Sequence, residues 1–458
     1  MKTAHQTYLS GRHGQATITK IVAAVGVTFL GATAFNSVQL FAQTNDNKVR
    51  LEVAKEQNQK RPADTAAPAN DKETVRQEIA KPLEAIRELM KEKKYAEALV
   101  KVRDVEAIPN KTSYEMFIID QMRGAAAAGA GDNGLAVRSF EAVLATNRLK
   151  ADAGLPIVEA IAGTYYRSKD YKSAVVWARR FFTDGGVNPL MRLMLQQSLY
   201  LSEDYAGAAK DISEDVAAQV AAGKTPSEDI LKLLASCALK QKDNPAYVVA
   251  LEKLVIYYPK RDYWADFIYR FESKPTFSDR LSLDVYRLKF QLDLIEDSAD
   301  YMRMALLSNQ AGFPVETKAV LEQGYSRGVL GKGADAGNQK KLLDAVNKEL
   351  ADEAKTSVKN EAEAVASRDG TGLVGVGFNN VLAGQAEKGA LQMEQGIKKG
   401  GLKRPDEATL RLGIAYVLAG QKDKAIDALK TVKGADGAGD LAMLWSLYAG
   451  QVKKLEKQ

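Results

Sequence analysis

Between Asp406 and Val432 the chain reads DEATLRLGIAYVLAGQKDKAIDALKTV. Apolar residues recur at spacings of three and four on both sides of Gly420-Gln421-Lys422-Asp423, which predicts two amphipathic helices joined by a tight turn. Gly413 and Ala425 are small at the points where two such helices must approach. A bulky side chain there would force the backbones apart. Few other stretches restrict the possible folds so sharply, because the same spacing can be laid along the whole chain. The Ala425 position recurs as Ala98, Ala136, Ala174, Ala209, Tyr247, Ser282, Thr317, Ala354 and Gly389, at steps of 35 to 38 residues. Four residues further on stand Val102, Phe140, Ala178, Ser213, Leu251, Tyr286, Leu321, Val358, Met393 and Leu429, mostly apolar as a packed helix face must be. The Gly413 position holds Gly124, Ala162, Ala235, Ala305 and Gly377 in other repeats.

Turn signals fall between the paired helices, among them Gly131-Asp132, Lys169-Asp170, Glu203-Asp204, Lys242-Asp243, Ala311-Gly312 and Ala383-Gly384. Pro109, Pro189, Pro259 and Pro405 fall where second helices should stop. Gln197, Arg270 and Leu342 occupy the small-residue position, so the repeats near 190, 263 and 335 are placed by their neighbours' period.

This pattern resembles the tetratricopeptide repeat (TPR), whose period is about 34 residues. The resemblance implies an all-α, right-handed superhelical solenoid of about ten helix-turn-helix pairs over residues 73–440. It also implies an extended concave surface that takes a peptide or partner domain. Residues 441–458, with Leu444, Trp445, Leu447 and Tyr448, form an amphipathic helix expected to cap the last repeat. The segments Phe277–Leu288 and Tyr301–Gly331 are similar to envelope TPR proteins that accompany TonB-type uptake.

Ahead of the repeats, Lys2, Arg12 and Lys20 supply half of the formal +6 charge, and no acid occurs before Asp46. Ile21 to Phe35 is uncharged and apolar, and Ala32-Thr33-Ala34 follows a cleavage-site pattern, so residues 1–42 are expected to be a secretory signal peptide. The alternative is a retained anchor in the inner membrane facing the periplasm, since the 25 residues from Ile21 to Asn45 lack charge. Residues 43–72 are polar, carry Pro62 and Pro68, and read as a disordered linker. A periplasmic location follows as the expectation.

Composition removes several classes of chemistry. The two histidines, His5 and His13, precede the apolar run, so a processed chain lacks the usual general base and commonest metal ligand. Cys237 is the single cysteine, which excludes an intrachain disulfide and a Cys-rich zinc site. Beyond residue 42 the charge is close to balanced and makes no electrostatic case for nucleic acid. Gly370 to Gly375 matches GxGxxG, but a helical stretch precedes it where a dinucleotide site needs a strand. The glycines are expected to mark a loosened joint between repeats. No enzyme, cofactor or metal is expected.

Two places are candidates for partner binding. Tyr257 to Phe277 holds eight aromatics in 21 residues of a chain that is 7% aromatic. On the repeat register Trp264, Phe267 and Phe271 face the concave groove, while Ile268 and Tyr269 face neighbouring helices. The three rings are either a docking stripe or filling for the space opened by Arg270. Tyr166 and Arg167 form the second place, where Arg167 offers forked donors to a partner's carboxylate. A glycan or peptidoglycan ligand stacked on Trp264 is the alternative to a protein partner.

Overall fold

A computed structural model describes residues 74–149 and 151–455, and it consists of twenty α-helices with no strand among them. The expected signal peptide or anchor and the linker lie outside the described residues. The chain divides into two compact units. One comprises the described residues up to Gly223 with Lys240–Lys242; the other comprises 224–239 and 243–455.

The first unit begins with α1 (Gln77–Lys91), α2 (Tyr95–Glu106), α3 (Ser113–Ala130) and α4 (Asn133–Ala145). It continues with α5 (Ala151–Arg167), α6 (Tyr171–Thr183), α7 (Pro189–Leu201) and α8 (Tyr205–Ala221). Each helix packs on the next, and α1 on α3 and α5 on α7, the nearest-neighbour contact pattern of a solenoid. Thr112 and Glu115 close a capping box on α3, and buried Glu115 also takes Arg76 Nε at 2.9 Å, tying α1 to α3.

The second unit begins with α9 (Glu228–Lys240), whose last residue clusters with the first unit, and α10 (Asn244–Tyr257). There follow α11 (Arg261–Glu272), α12 (Ser282–Gln291), α13 (Ser298–Gln310), α14 (Pro314–Ser326) and α15 (Ala336–Ala366). The last are α16 (Thr371–Leu382), α17 (Ala386–Lys399), α18 (Pro405–Leu418), α19 (Lys422–Lys430) and α20 (Ala438–Leu455). Here α20 packs on α18 and α19, and also on α11 and α12, so the end of the chain returns to the start of this unit.

Four of the turns inside the pairs share one device. Gly131, Lys169, Glu203 and Lys242 adopt positive φ, and the aspartate that follows each caps α4, α6, α8 or α10 through the N–H three residues on. The sequence signal at these turns is therefore a physical one: a left-handed residue reverses the chain and a carboxylate restarts the helix.

The small positions behave as the register requires. A Cβ added to Gly413 would meet Leu429 at 2.5 Å, one on Gly124 would meet Phe140 at 2.6 Å, and one on Gly377 would meet Met393 at 2.8 Å. Those partners sit four residues past the second small position of each pair. Ala98, Ala136, Ala174 and Ala425 are fully buried.

Three departures have physical causes. In α8 the packed residues are Ala208 and Ile212, not Ala209 and Ser213, because the Asp204 cap sets the register one residue earlier. The glycines at 370–377 are not a loosened joint. Gly370 abuts Gly396, and a Cβ on Gly377 would lie 2.6 Å from the Gly389 carbonyl, so α16 and α17 meet backbone to backbone. The third departure is α15. A pair was expected here, yet residues 338–366 contain neither glycine nor proline, and one helix of 31 residues forms. At 1.5 Å per residue that is about 46 Å. Between Val346 and Ala364 nothing on it is buried; Ala354 is exposed, as is Val358.

These packings predict a stability series in urea. Ala425→Leu and Ala174→Leu should each cost about 1–3 kcal/mol by overpacking. Ala354→Leu and Lys422→Ala should stay within about 0.5 kcal/mol. A loss at Ala354 matching that at Ala425 would mean that 336–366 folds as a packed pair after all.

Candidate partner-binding site

The aromatic stretch is core. Trp264 and Phe267 are 0% exposed and Phe271 is 4% exposed, so of the two readings of these rings the docking stripe on α11 has no open surface. The rings run edge to face, Trp264 to Phe267 at 6.4 Å between centroids and Phe267 to Phe271 at 5.1 Å. Ile268 is buried, while Tyr269 points outward instead of toward a neighbouring helix. Arg270 explains the local departure from the repeat. It donates to Asp266 Oδ1 at 3.1 Å and lies over the Tyr247 ring at 4.6 Å, and Tyr247 Oη donates to Asp266 Oδ2 at 2.6 Å. Tyr247 and Arg270 both stand at normally small positions, and they accommodate each other by stacking, with Asp266 bonded to both. Trp264→Ala should therefore lower stability by about 3–5 kcal/mol, read from the denaturation midpoint, as for a large core ring.

A second buried cluster is ionic. The Arg287 guanidinium bridges both Glu316 carboxylate oxygens at 2.7 Å and Asp284 Oδ1 at 2.5 Å. It lies between the rings of Phe313 at 4.8 Å and Phe378 at 4.5 Å. Asp284 Oδ2 also faces Arg411 on α18 at 3.4 Å, and the Asp284 carbonyl accepts from Trp445 Nε1 on α20 at 3.2 Å. Arg280 reaches Glu407 at 3.2 Å and also pairs with Asp436, while Lys274 meets Asp440 at 2.8 Å. Each of these charges has a partner of opposite sign, and the pairs tie α12, α14, α18, the segment after α11 and the start of α20 together within the second unit. Phe277–Leu288 and Tyr301–Gly331 supply Asp284, Arg287 and Glu316 to this cluster.

Tyr166 and Arg167 lie in the first unit, at the end of α5. Tyr166 is half-buried, and its hydroxyl donates to Gln197 Oε1 on α7 at 2.8 Å. Burial, then the neighbouring Tyr171 ring, pushes its phenol up to about 12. This bond accounts for Gln197 at a small-residue position: the amide turns toward α5.

Arg167 is half-buried too. It bonds Thr164 Oγ1 at 3.1 Å, and its Nη1 would stand 3.3 Å from a Cβ on Gly163. The guanidinium thus lies back over the Gly163 backbone, one turn toward the start of the helix. Burial pulls its pKa below the ordinary guanidinium value. In the same unit Arg123, Arg180 and Arg192 each reach a carboxylate. Arg167 has no carboxylate partner among the described residues.

Glu159, two turns earlier on the same face, was not singled out from the sequence. It is half-buried, and its one polar contact among the described residues is Asn188 Nδ2 at 3.2 Å. Asn188 Oδ1 is occupied as the α7 cap, accepting the Leu190 N–H at 2.9 Å, which fixes its amide toward Glu159. Burial raises the Glu159 carboxyl pKa, with Asn188 opposing. The signal available in the sequence was a lone acid inside the apolar run Ile157-Val158-Glu159-Ala160-Ile161. A raised folded-state pKa means that this group's contribution to stability is present below the unfolded value of about 4.3 and is lost as pH rises through the folded value. Glu159→Gln should accordingly raise the melting midpoint at pH 8 and leave it unchanged near pH 4. An equal shift at both pH values would contradict the assignment.

Cys237 is buried, and burial pushes its thiol up to about 12. Among the described residues no group of His, Cys, Asp or Glu is arranged to hold a metal ion, and no helix is long and apolar enough to cross a membrane.

No family model matches the chain, and no curated protein matches it. Solved structures do. Naa15/Naa10 bound to HypK-THB shares 12% identity over 82% of this chain and 73% of that one, with a TM-score of 0.27. Yeast Tom70 shares 10% over 82% and 96%, with a TM-score of 0.23. The P58(IPK) TPR domain shares 12% over 83% and 99%, with a TM-score of 0.21. Scores this low describe a likeness of helical build and say nothing of this chain's partners.

Proposed function

We propose that this chain is a non-catalytic interaction scaffold of the bacterial cell envelope, binding a protein or peptide partner at the half-buried Arg167 of α5. The observation that carries this reading is Arg167, a half-buried guanidinium with no carboxylate to neutralise it among the described residues. Leaving a charge partly desolvated without a counter-ion is costly, and a partner's carboxylate would offset that cost. The envelope setting is supported by the basic start and the apolar run Ile21–Phe35. A role beside TonB-type uptake is supported by the resemblance of Phe277–Leu288 and Tyr301–Gly331. The glycan alternative needed an exposed Trp264, and that ring is buried.

A photocrosslinking residue at exposed Ser168, next to the candidate site, tests the interaction in intact envelopes. A protease-sensitive adduct is expected with the native chain and should be lost on Arg167→Glu; the same probe at Lys355 on α15 should yield none. An adduct indifferent to Arg167→Glu would remove the site. Export has its own test: the N-terminus of the protein purified from envelopes should fall between Phe35 and Thr44. An intact Met1 in the membrane fraction would establish an anchor instead.

A further inference from the structure

In the second unit α15 is packed at Val346 and at Ala364, and residues 351–360 between them are all exposed. Val358 is 82% exposed and Val365 is 56% exposed. Seven residues apart, they fall within about 20° of each other around the helix. Lys348, Lys355 and Lys359 stand about 60–100° round from Val358, all on one side of it. Glu349, Asp352, Glu353 and Glu363 lie about 120–180° away, on the back. Glu361, on the other flank, is held by Lys388 and Gln392. Lys355 and Lys359 reach Asp352 at 2.8 Å and Glu363 at 3.7 Å. Exposed pairs of this kind contribute little and leave both lysines free to turn outward.

A second group of cations continues from Val365. Its carbonyl accepts from Lys399 Nζ at 2.8 Å, and the Gly370 N–H donates to the Gly400 carbonyl at 2.8 Å. The loop after α17 therefore lies against the end of α15. Its run Lys398-Lys399-Gly400-Gly401-Leu402-Lys403-Arg404 holds four cations and no acid. Lys348, Arg368, Lys398 and Lys403 are exposed, with no acidic partner among the described residues. Arg404 pairs with Glu407 at 3.7 Å. Of the neighbouring acids, Asp369 is turned to the Thr371 N–H at 2.8 Å, and Asp406 is exposed at the start of α18.

We propose that α15 from Lys348 onward, with Arg368 and the loop 398–404, is a docking surface for an anionic phospholipid bilayer. The surface is separate from Arg167 and goes beyond the scaffold reading. The helix lies in the headgroup plane, with Val358 and Val365 toward the acyl chains, the lysines at the phosphates and the acids facing away. Charge complementarity selects this occupant. An apolar strip bordered by cations, with its acids on the back, matches a boundary that is apolar beneath and anionic above. Of Lys348, Lys355, Lys359, Arg368, Lys398, Lys399 and Lys403, all but one are lysines. Their compact charges on flexible stems suit phosphates that move in the plane, whereas the fixed carboxylates of a folded partner favour the forked guanidinium. Two valines alone bury little, and a cluster of lysines alone is screened by salt. Together they supply the two signals that hold a peripheral protein on a membrane. The attraction fades within a Debye length, about 8 Å at physiological salt, so it needs cations on open surface.

The test uses the full chain with an environment-sensitive NBD label on Ala362→Cys or, in a second sample, on Glu353→Cys. Both positions are exposed, Ala362 beside Val358 and Glu353 on the back. Native Cys237 is buried, so the label goes to the introduced thiol. Vesicles of phosphatidylcholine, pure or mixed equally with phosphatidylglycerol, are titrated in. With the mixed vesicles the label at 362 should brighten and shift to the blue, while the label at 353 changes little. Neither label should respond to pure phosphatidylcholine. Lys398→Glu with Lys403→Glu, checked for an unchanged helical signal, should weaken the mixed-vesicle response by about tenfold or more, and added salt should weaken it too. A retained N-terminal anchor would carry the chain to both vesicle types alike and would not separate the two labels. Equal response to both compositions, equal response of both labels, or unchanged affinity in the double variant each overturns the proposal. So does a response at 362 produced equally by polyglutamate or inorganic phosphate without vesicles, since the surface would then serve an acidic protein or a free anion. None of these outcomes bears on the Arg167-dependent crosslink at Ser168, so the two proposals stand or fall separately.

Discussion

Close approach between paired helices is the constraint from which most of this structure follows. At Gly124, Gly377 and Gly413 the facing side chain or backbone occupies the space a Cβ would take. That contact sets the distance between the two helices of a pair, and the distance sets which residues reach the next pair. Burial of Ala98, Ala136, Ala174 and Ala425 repeats the same arrangement along the chain. The capped turns matter because they fix rotation: at Asp132, Asp170, Asp204 and Asp243 a positive-φ residue followed by an aspartate cap sets which residue of the second helix is packed, four positions after the cap. Where the cap moves, as at Asp204, the packed residues move with it.

The two units use this unit of construction differently. In the first, each helix touches near neighbours in sequence. In the second, the last helix returns to α11 and α12, and a chain of buried charges from Arg287 to Asp284 and Arg411 bridges segments more than 120 residues apart. Burial opposes the Arg287 charge, yet Glu316 and Asp284 together hold its pKa above the ordinary value. Removing one partner from such a group leaves an uncompensated buried charge and typically costs about 3–5 kcal/mol. The ionic cluster therefore does for this unit what small residues do for a single pair: it fixes which surfaces may meet.

How much of this was legible in the sequence depended on the range of the interaction. The pairing of Gly413 with Leu429 spans sixteen residues and one turn, so spacing alone exposed it. Arg270 reads as a departure from the repeat because its compensation runs through two other residues, Asp266 and Tyr247. The aromatic stretch misled for a related reason. A stripe at spacings of three and four marks a helix face, but not whether that face meets solvent or another helix. In α15 the period was imposed from neighbours on a segment with no residue able to break a helix. Of the candidate site, Tyr166 and Arg167 were visible, whereas Glu159 was passed over because an acid in a helix is ordinary until its surroundings are known. The neutral contacts from Thr164 and Asn188 could not be read from spacing.

The central claim is that α5 keeps the Arg167 charge in a partly desolvated place for the sake of a ligand and at the expense of the free protein. Replacing a residue held for function commonly raises stability. The most direct measurement is the melting midpoint of ligand-free Arg167→Met, a substitution that keeps much of the apolar stem and deletes the guanidinium. This account predicts a midpoint above that of the native chain, together with loss of the Ser168 crosslink. A midpoint below native would mean that Arg167 stabilises the fold through contacts of its own, and the claim would be wrong.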